Sequence, residues 1–215
     1  DEQKILSNHG KLFKLKDRSS SIKQAIDENF ELAIFDDGLQ DPSIDYDYNI
    51  VCFNIDNWIG NSFTIPSGPL RENIKNLKKY KNVFINGNNE NINNIIEYIH
   101  NIDANINIYQ GEYIPLNINE FEKDDKYLVF SGIGNHKTFI SMLKKYNINI
   151  VKEIEFPDHY IFLQKEIDEI ISISKNLNCK IITTEKDYMR LNNNNEIFYI
   201  KSELKIINQE AFIND

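Results

Sequence analysis

The chain reads as an α/β protein built on parallel sheets, and three features carry that reading. Short apolar runs that do not alternate with polar residues take turns with stretches whose apolar positions fall at helical spacing. Charged residues stand directly after some of these runs, at the strand end where ligands gather in an open parallel sheet. The length, 215 residues of which 41% are hydrophobic, suffices for one large domain or two small ones. Because the pattern changes near the middle, two α/β layers joined by a connector fit better than one continuous sheet.

The elements follow in order. Ser19 to Ser21 are suitable caps for a helix with Ile22, Ala25, Ile26 and Phe30 on one face. "LAIF", Leu32 to Phe35, is expected to be a strand buried on both faces, and "NIVCFNI", Asn49 to Ile55, a second. After "NVFI" at Asn82 to Ile85, the positions Ile92, Ile95, Ile96 and Ile99 mark an amphipathic helix. Between about Asn105 and Phe121 the pattern shortens to "NINIYQGEYIPL", which predicts a small exposed ribbon. Beyond it come "YLVFSGIG" as strand and glycine turn, a helix presenting Phe139, Met142, Leu143 and Tyr146, and "INIVKEIEF" as a strand. A helix carrying Ile167, Ile170 and Ile171 follows, and "CKIITTEKD" and "EIFYI" supply two more strands. The asparagine-rich runs "NGNNENINN" and "LNNNNE" fall between elements and read as loops.

Charge and cysteine content narrow the function. The balance of 24 basic against 33 acidic residues gives −9, which argues against nonspecific binding to nucleic acid or anionic lipid. Cys52 and Cys179 are too few for a disulfide framework, so a reducing compartment is expected. No apolar run approaches the roughly 18 residues of a membrane span, and no signal peptide is visible. The chain begins Asp1-Glu2 rather than with methionine, so a natural start upstream is expected.

Four clusters carry chemistry. Asp36-Asp37, in "LAIFDDGLQDP", follow an apolar run, as do the aspartates that hold Mg²⁺ beside a phosphate in nucleotide-hydrolysing folds; the pair before Gly38 is equally ordinary turn chemistry. "GNSFTIPSGPLRE", Gly60 to Glu72, is a loop stiffened by Pro66 and Pro69 that ends in Arg71-Glu72, and an arginine there can clamp a phosphate bidentately. "FPDHY" puts His159 directly after an aspartate behind a strand, in a position to tune or assist a general base. "TTEKD", Thr183 to Asp187, turns a strand into a helix. Each has a structural reading of its own, as a rigid loop, a surface histidine or a capped helix start.

In this order, "DDGLQ", "GN....PSGPLRE", "SGIGN", "FPDHY" and "TTEKDYMRL" resemble the motifs of the tetraacyldisaccharide 4′-kinases, and the resemblance runs from Asp1 nearly to the end. It implies a P-loop kinase fold of two α/β domains: residues 1–104 as part of the kinase domain, 105–125 as a two-stranded linker, and 126–215 as a smaller C-terminal α/β domain. It also implies transfer of the γ-phosphate of ATP to the 4′-hydroxyl of tetraacyldisaccharide 1-phosphate, giving lipid IVA in lipid A biosynthesis, at the cytoplasmic face of the bacterial inner membrane. ATP and Mg²⁺ are the implied cofactors. Asp1 is similar to the family's base, assisted by His159, and Arg71 to a catalytic residue of the phosphate site. Glu2, Gln40 and Glu72 are implied in nucleotide binding, and Asp36 and Asp37 in holding Mg²⁺. A sugar hydroxyl needs an in-line proton acceptor, and an imidazole beside an aspartate can orient it or take up the proton. Pairing Asp1 with His159 implies domain closure.

Two departures accompany the match. Asp41 stands where the family usually has histidine after "DDG.Q". No G-x-x-x-x-G-K-[ST] occurs in these 215 residues, so a phosphate-cradling loop and a membrane-facing segment are expected upstream. Two other functions stay open: a Mg²⁺-dependent phosphohydrolase with Asp36 as nucleophile, and a non-catalytic module that binds sugar lipid.

Overall fold

The computed structural model describes residues 10–13, 17–87, 89–191 and 194–214. The chain divides into two units, one ending at Asn49 and one beginning at Ile50.

In the first unit, helix α1 spans Arg18–Asp27. Its cap is Asp17 rather than a serine: the Asp17 carboxylate accepts from the Ser20 backbone N–H (2.7 Å) and from Ser20 Oγ (2.8 Å). An aspartate satisfies the open amides of the first turn and complements the helix dipole at once, so the helix begins directly after it. The expected strand at Leu32 to Phe35 does not form. Leu32 and Ile34 are 76% and 87% exposed rather than buried. A strand needs a ladder partner, and among the described residues none pairs with this run.

The second unit holds two four-stranded sheets. The first consists of β1 (Ile50–Asn54), β2 (Asn82–Asn86), β3 (Asn107–Pro115) and β8 (Ser202–Ile207) in that order. β1, β2 and β3 run parallel, with Cys52 beside Phe84 and Phe84 beside Tyr109. Val83 and Ile85 point at Ile95 and Ile99 of α2 (Ile92–Ile102), closing one core. On the other face, Phe212 of the short helix α6 (Gln209–Asn214) meets the rings of Phe84 and Tyr109 edge-on, at 6.3 and 5.0 Å. β1 is half-buried rather than sealed on both faces, because it is the sheet's edge strand. The region expected to be a small exposed ribbon is instead a single nine-residue strand with Tyr109, Gly111 and Pro115 buried. Its first part lies parallel to β2, and Gln110 to Pro115 pair antiparallel with β8, a partner distant in sequence.

The second sheet has the order β5 (Asn149–Glu155), β4 (Lys126–Ser131), β6 (Lys180–Thr184), β7 (Ile197–Ile200), all parallel. β4 is central, so Tyr127 to Phe130 are fully buried. Alternate residues face opposite sides. Tyr127 and Val129 pack on α3 (His136–Lys145) through Phe139, Ile140 and Leu143. Leu128 and Phe130 pack on α4 (Gln164–Leu177) through Ile167 and Ile170. The chain thus leaves β4 over one face to reach β5 and returns over the other to reach β6. The carboxyl end of β4, which lies between β5 and β6 with the crossovers α3 and α4 on opposite faces, is a topological switch point. The two sheets are tied by Thr138 of α3, whose Oγ1 accepts from Asn54 Nδ2 (3.1 Å) and donates to Asp56 (3.0 Å).

Candidate functional site

At the switch point three quoted motifs meet. "SGIGN" leaves β4, "FPDHY" leaves β5, and "TTEKD" joins β6 to the short helix α5, Glu185–Tyr188. Their junction is the carboxylate of Asp187, which is fully buried. It accepts from Gly132 N–H (3.0 Å), Thr184 Oγ1 (2.8 Å) and Arg190 Nη1 (3.3 Å). Thr184 also caps α5 by accepting from the Asp187 backbone N–H (3.0 Å). A carboxylate without solvent is tolerated only with such partners. Arg190 then reaches outward, and its Nη2 lies 3.2 Å from His159 Nδ1.

The His159 backbone is fixed from several sides. Its φ of 59° lies in the left-handed region, its N–H donates to Gly132 O (3.1 Å) and Asp158 Oδ1 (2.9 Å), and Nε2 stands 3.8 Å from Asp158 Oδ2. Gly132 permits the approach, since a Cβ there would sit 3.1 Å from Tyr160 Cβ and 3.3 Å from Pro157 O. Beneath the turn Phe162 meets Phe156 and Tyr160 edge-on, Tyr160 lies tilted against Phe156, and Phe156 and Phe162 meet Phe130 of β4 edge-on. Tyr160 donates to Glu166 (2.7 Å), which also accepts from the Leu163 N–H (2.9 Å) and so closes the start of α4. The first contact raises the Tyr160 pKa and lowers that of Glu166.

Arg71 and Glu72 end a loop that hydrogen bonds hold in a fixed path. Asn61 accepts from Phe63 N–H (3.2 Å) and donates to Ser67 O (2.8 Å), Ile65 N–H donates to Leu70 O (2.8 Å), and Gly68 leaves no room for a Cβ beside Asn61 and Phe63. Glu72 accepts from Tyr80 Oη (3.0 Å) and Asn76 Nδ2 (2.9 Å), while the Arg71 side chain is exposed. Burial, with the Glu72 contact second, raises the Tyr80 pKa.

In the first unit Asp36 and Asp37 occupy an exposed turn, with Asp37 at φ 56°. Arg18 of α1 donates to the Asp37 carbonyl (3.0 Å) and pairs with Asp41 (3.3 Å). Tyr46 Oη donates to Gly38 O (2.8 Å). Asp41 also accepts from Ser43, first among the contacts that lower its pKa. The residue that departs from the family pattern is therefore a strut of the turn. Gln40 is exposed on the same segment. Asp1 and Glu2 lie outside the described residues.

The structure thus brings His159 together with Gly132, Asp158, Asp187 and Arg190, and holds Arg71-Glu72 and Asp36-Asp37 on their own well-defined loops. Sequence reasoning assigned no role to Asp187, Arg190 or Arg18. Asp187 and Arg190 carried a signal, as an acid and a base three apart in a helical turn straight after a strand. Arg18 carried none, since it meets Asp37 only through the fold.

Together these features define an α/β protein in which three motif loops meet at the carboxyl end of a parallel sheet. The chain belongs to the tetraacyldisaccharide-1-P 4′-kinase family, whose model matches residues 1–215. It is 59% identical to a tetraacyldisaccharide 4′-kinase of Pelagibacter ubique, over all of this chain and 69% of that protein. It is 34% identical to the Rickettsia akari enzyme of the same name, over 98% of this chain and 63% of that protein. The fold is similar to that of LpxK from Aquifex aeolicus, crystallised in complex with ATP, with a TM-score of 0.50 and 20% identity over 83% of this chain and 54% of that one.

Proposed function

We propose that the protein to which these residues belong transfers the γ-phosphate of ATP to the 4′-hydroxyl of tetraacyldisaccharide 1-phosphate, giving lipid IVA. The observation that carries this reading is the placement of His159: Arg190, paired with the buried Asp187, lies against it at the switch point of the second sheet, where an open α/β sheet presents its ligand-handling groups. Family membership names the reaction. Asp1 takes the proton from the hydroxyl with the help of His159, Arg71 contacts the transferring phosphate, and Glu2, Gln40 and Glu72 contact the nucleotide. Residues 1–104 then form part of a P-loop kinase domain, 105–125 a linker and 126–215 a second domain, whose last strand, Ser202–Ile207, returns to pair with β3 of the first sheet.

Asp36 and Asp37 fit Mg²⁺: two adjacent exposed carboxylates on a turn fixed by Arg18 and Tyr46 suit an ion that keeps several waters and takes one or two protein carboxylates. When bound, the ion neutralises phosphate charge. Among the described residues no group of three or more His, Cys, Asp or Glu forms a cage for a metal. The enzyme acts peripherally at the cytoplasmic face of the inner membrane, where its lipid substrate resides. Among the described residues no helix is long and apolar enough to cross a membrane.

The complete protein, incubated with Mg-ATP and tetraacyldisaccharide 1-phosphate, should yield a lipid heavier by one phosphate in mass spectrometry. Release of inorganic phosphate without a lipid product would favour a phosphohydrolase using Asp36, and lipid binding without turnover would favour a non-catalytic module.

A further inference from the structure

We infer that Arg190 sets the tautomer of His159, so that the imidazole works as a hydrogen-bond donor through Nε2–H rather than as the group that takes up a proton there. The inference deepens the kinase reading and rests on it only for its catalytic consequence. A guanidinium has five N–H donors and no acceptor. Its Nη2 lies 3.2 Å from His159 Nδ1, so the nitrogen facing it presents its lone pair. The proton of the neutral ring is then on Nε2. That edge stands 3.8 Å from the Asp158 carboxylate, the environment an N–H prefers.

Arg190 cannot easily turn away from this task. Its Nη1 is held by Asp187 Oδ1 (3.3 Å) and Gly132 O (3.4 Å), and Asp187 is itself pinned by Gly132 N–H and Thr184 Oγ1. The Arg190 side chain is only 12% exposed and that of Asp187 is fully buried, so the Asp187–Arg190 pair is shielded from the screening that weakens surface contacts, while the His159 ring that it supports is 52% exposed. The consequence is a division of labour. The ring offers Nε2–H to an acceptor, either a substrate oxygen or the carboxylate that serves as base, and that carboxylate keeps the proton. Arg190 is a positioning residue, because it acts through His159.

The experiment is long-range ¹H–¹⁵N NMR on the complete protein labelled with ¹⁵N-histidine, at a pH where imidazole is neutral, with His159 assigned by its loss in His159→Asn. The expected wild-type spectrum has a protonated Nε2 and an unprotonated Nδ1, and Arg190→Met should lose this preference. In the kinase assay Arg190→Met should lower kcat on the order of 10-fold or more with KM for ATP nearly unchanged, because orientation of a proton-transfer group matters in the transition state. A wild-type ring protonated on Nδ1 overturns the inference whether or not the variant folds. So does a tautomer unchanged in a folded Arg190→Met. If the wild type shows the expected tautomer but phosphorylates no lipid, the kinase reading fails and the Arg190–His159 lock stands.

Discussion

At the scale of single residues, backbone conformation decides which substitutions are informative. Asp37 has φ 56° and His159 has φ 59°, a region that asparagine tolerates and alanine disfavours. Asp37→Asn therefore removes a charge while preserving the turn. In the complete enzyme it should lower turnover by about 10²-fold, the scale of losing one charge-stabilising group, with the melting temperature nearly unchanged; unfolding would mean that the carboxylate serves the turn alone. His159→Asn likewise keeps the left-handed backbone and removes the imidazole. It should lower kcat by roughly 10² or more and leave KM for ATP little altered, the signature of an interaction made in the transition state. A raised KM for the lipid with kcat preserved would instead make His159 a substrate anchor.

At the scale of elements, local chemistry was legible in the sequence and partners were not. Helical spacing located α2, α3 and α4, and unbroken apolar runs located β2, β4 and β6, because both patterns are written in consecutive residues. Leu32 to Phe35 has the same apolar pattern yet forms no strand, since pairing depends on a neighbour that composition does not reveal. β8 escaped notice because "SELKII" is half polar and gains its place only through β3. The same limit explains the site: motif loops were visible one by one, whereas the Asp187–Arg190–His159 chain exists only once β4, β5 and β6 lie side by side. Two elements give tests of their own. Thr183 of β6 is fully buried and its Oγ1 has no partner among the described residues, so Thr183→Val should raise stability by up to about 1 kcal/mol in urea denaturation. Asp17 caps α1, and its hydrogen bonds from Ser20 lower its pKa. A carboxylate shifted downward stabilises above its unfolded pKa, and the gain is lost as pH falls through the folded value. Asp17→Asn, which keeps an acceptor that does not titrate, should therefore match the wild type ever more closely in thermal melts on the acid side.

At the scale of the whole molecule, the second unit holds the histidine, its support in Asp187 and Arg190, and the Arg71-Glu72 loop; the first unit, taken by itself, holds the acidic turn. The 215 residues contain no G-x-x-x-x-G-K-[ST] loop, whose backbone amides and lysine hold nucleotide phosphates. The chain taken alone should accordingly bind Mg-ATP weakly, and low-micromolar affinity in isothermal titration would contradict that expectation. The central claim is that these loops serve phosphoryl transfer to a lipid hydroxyl, and the most direct measurement follows the label from [γ-³²P]ATP in the complete wild-type protein beside His159→Asn. The account predicts that the wild type places ³²P on the 4′-position of the tetraacyldisaccharide and that the variant loses roughly 10² in this rate. Label released only as inorganic phosphate, or lipid labelling unaffected by the loss of His159, would contradict it.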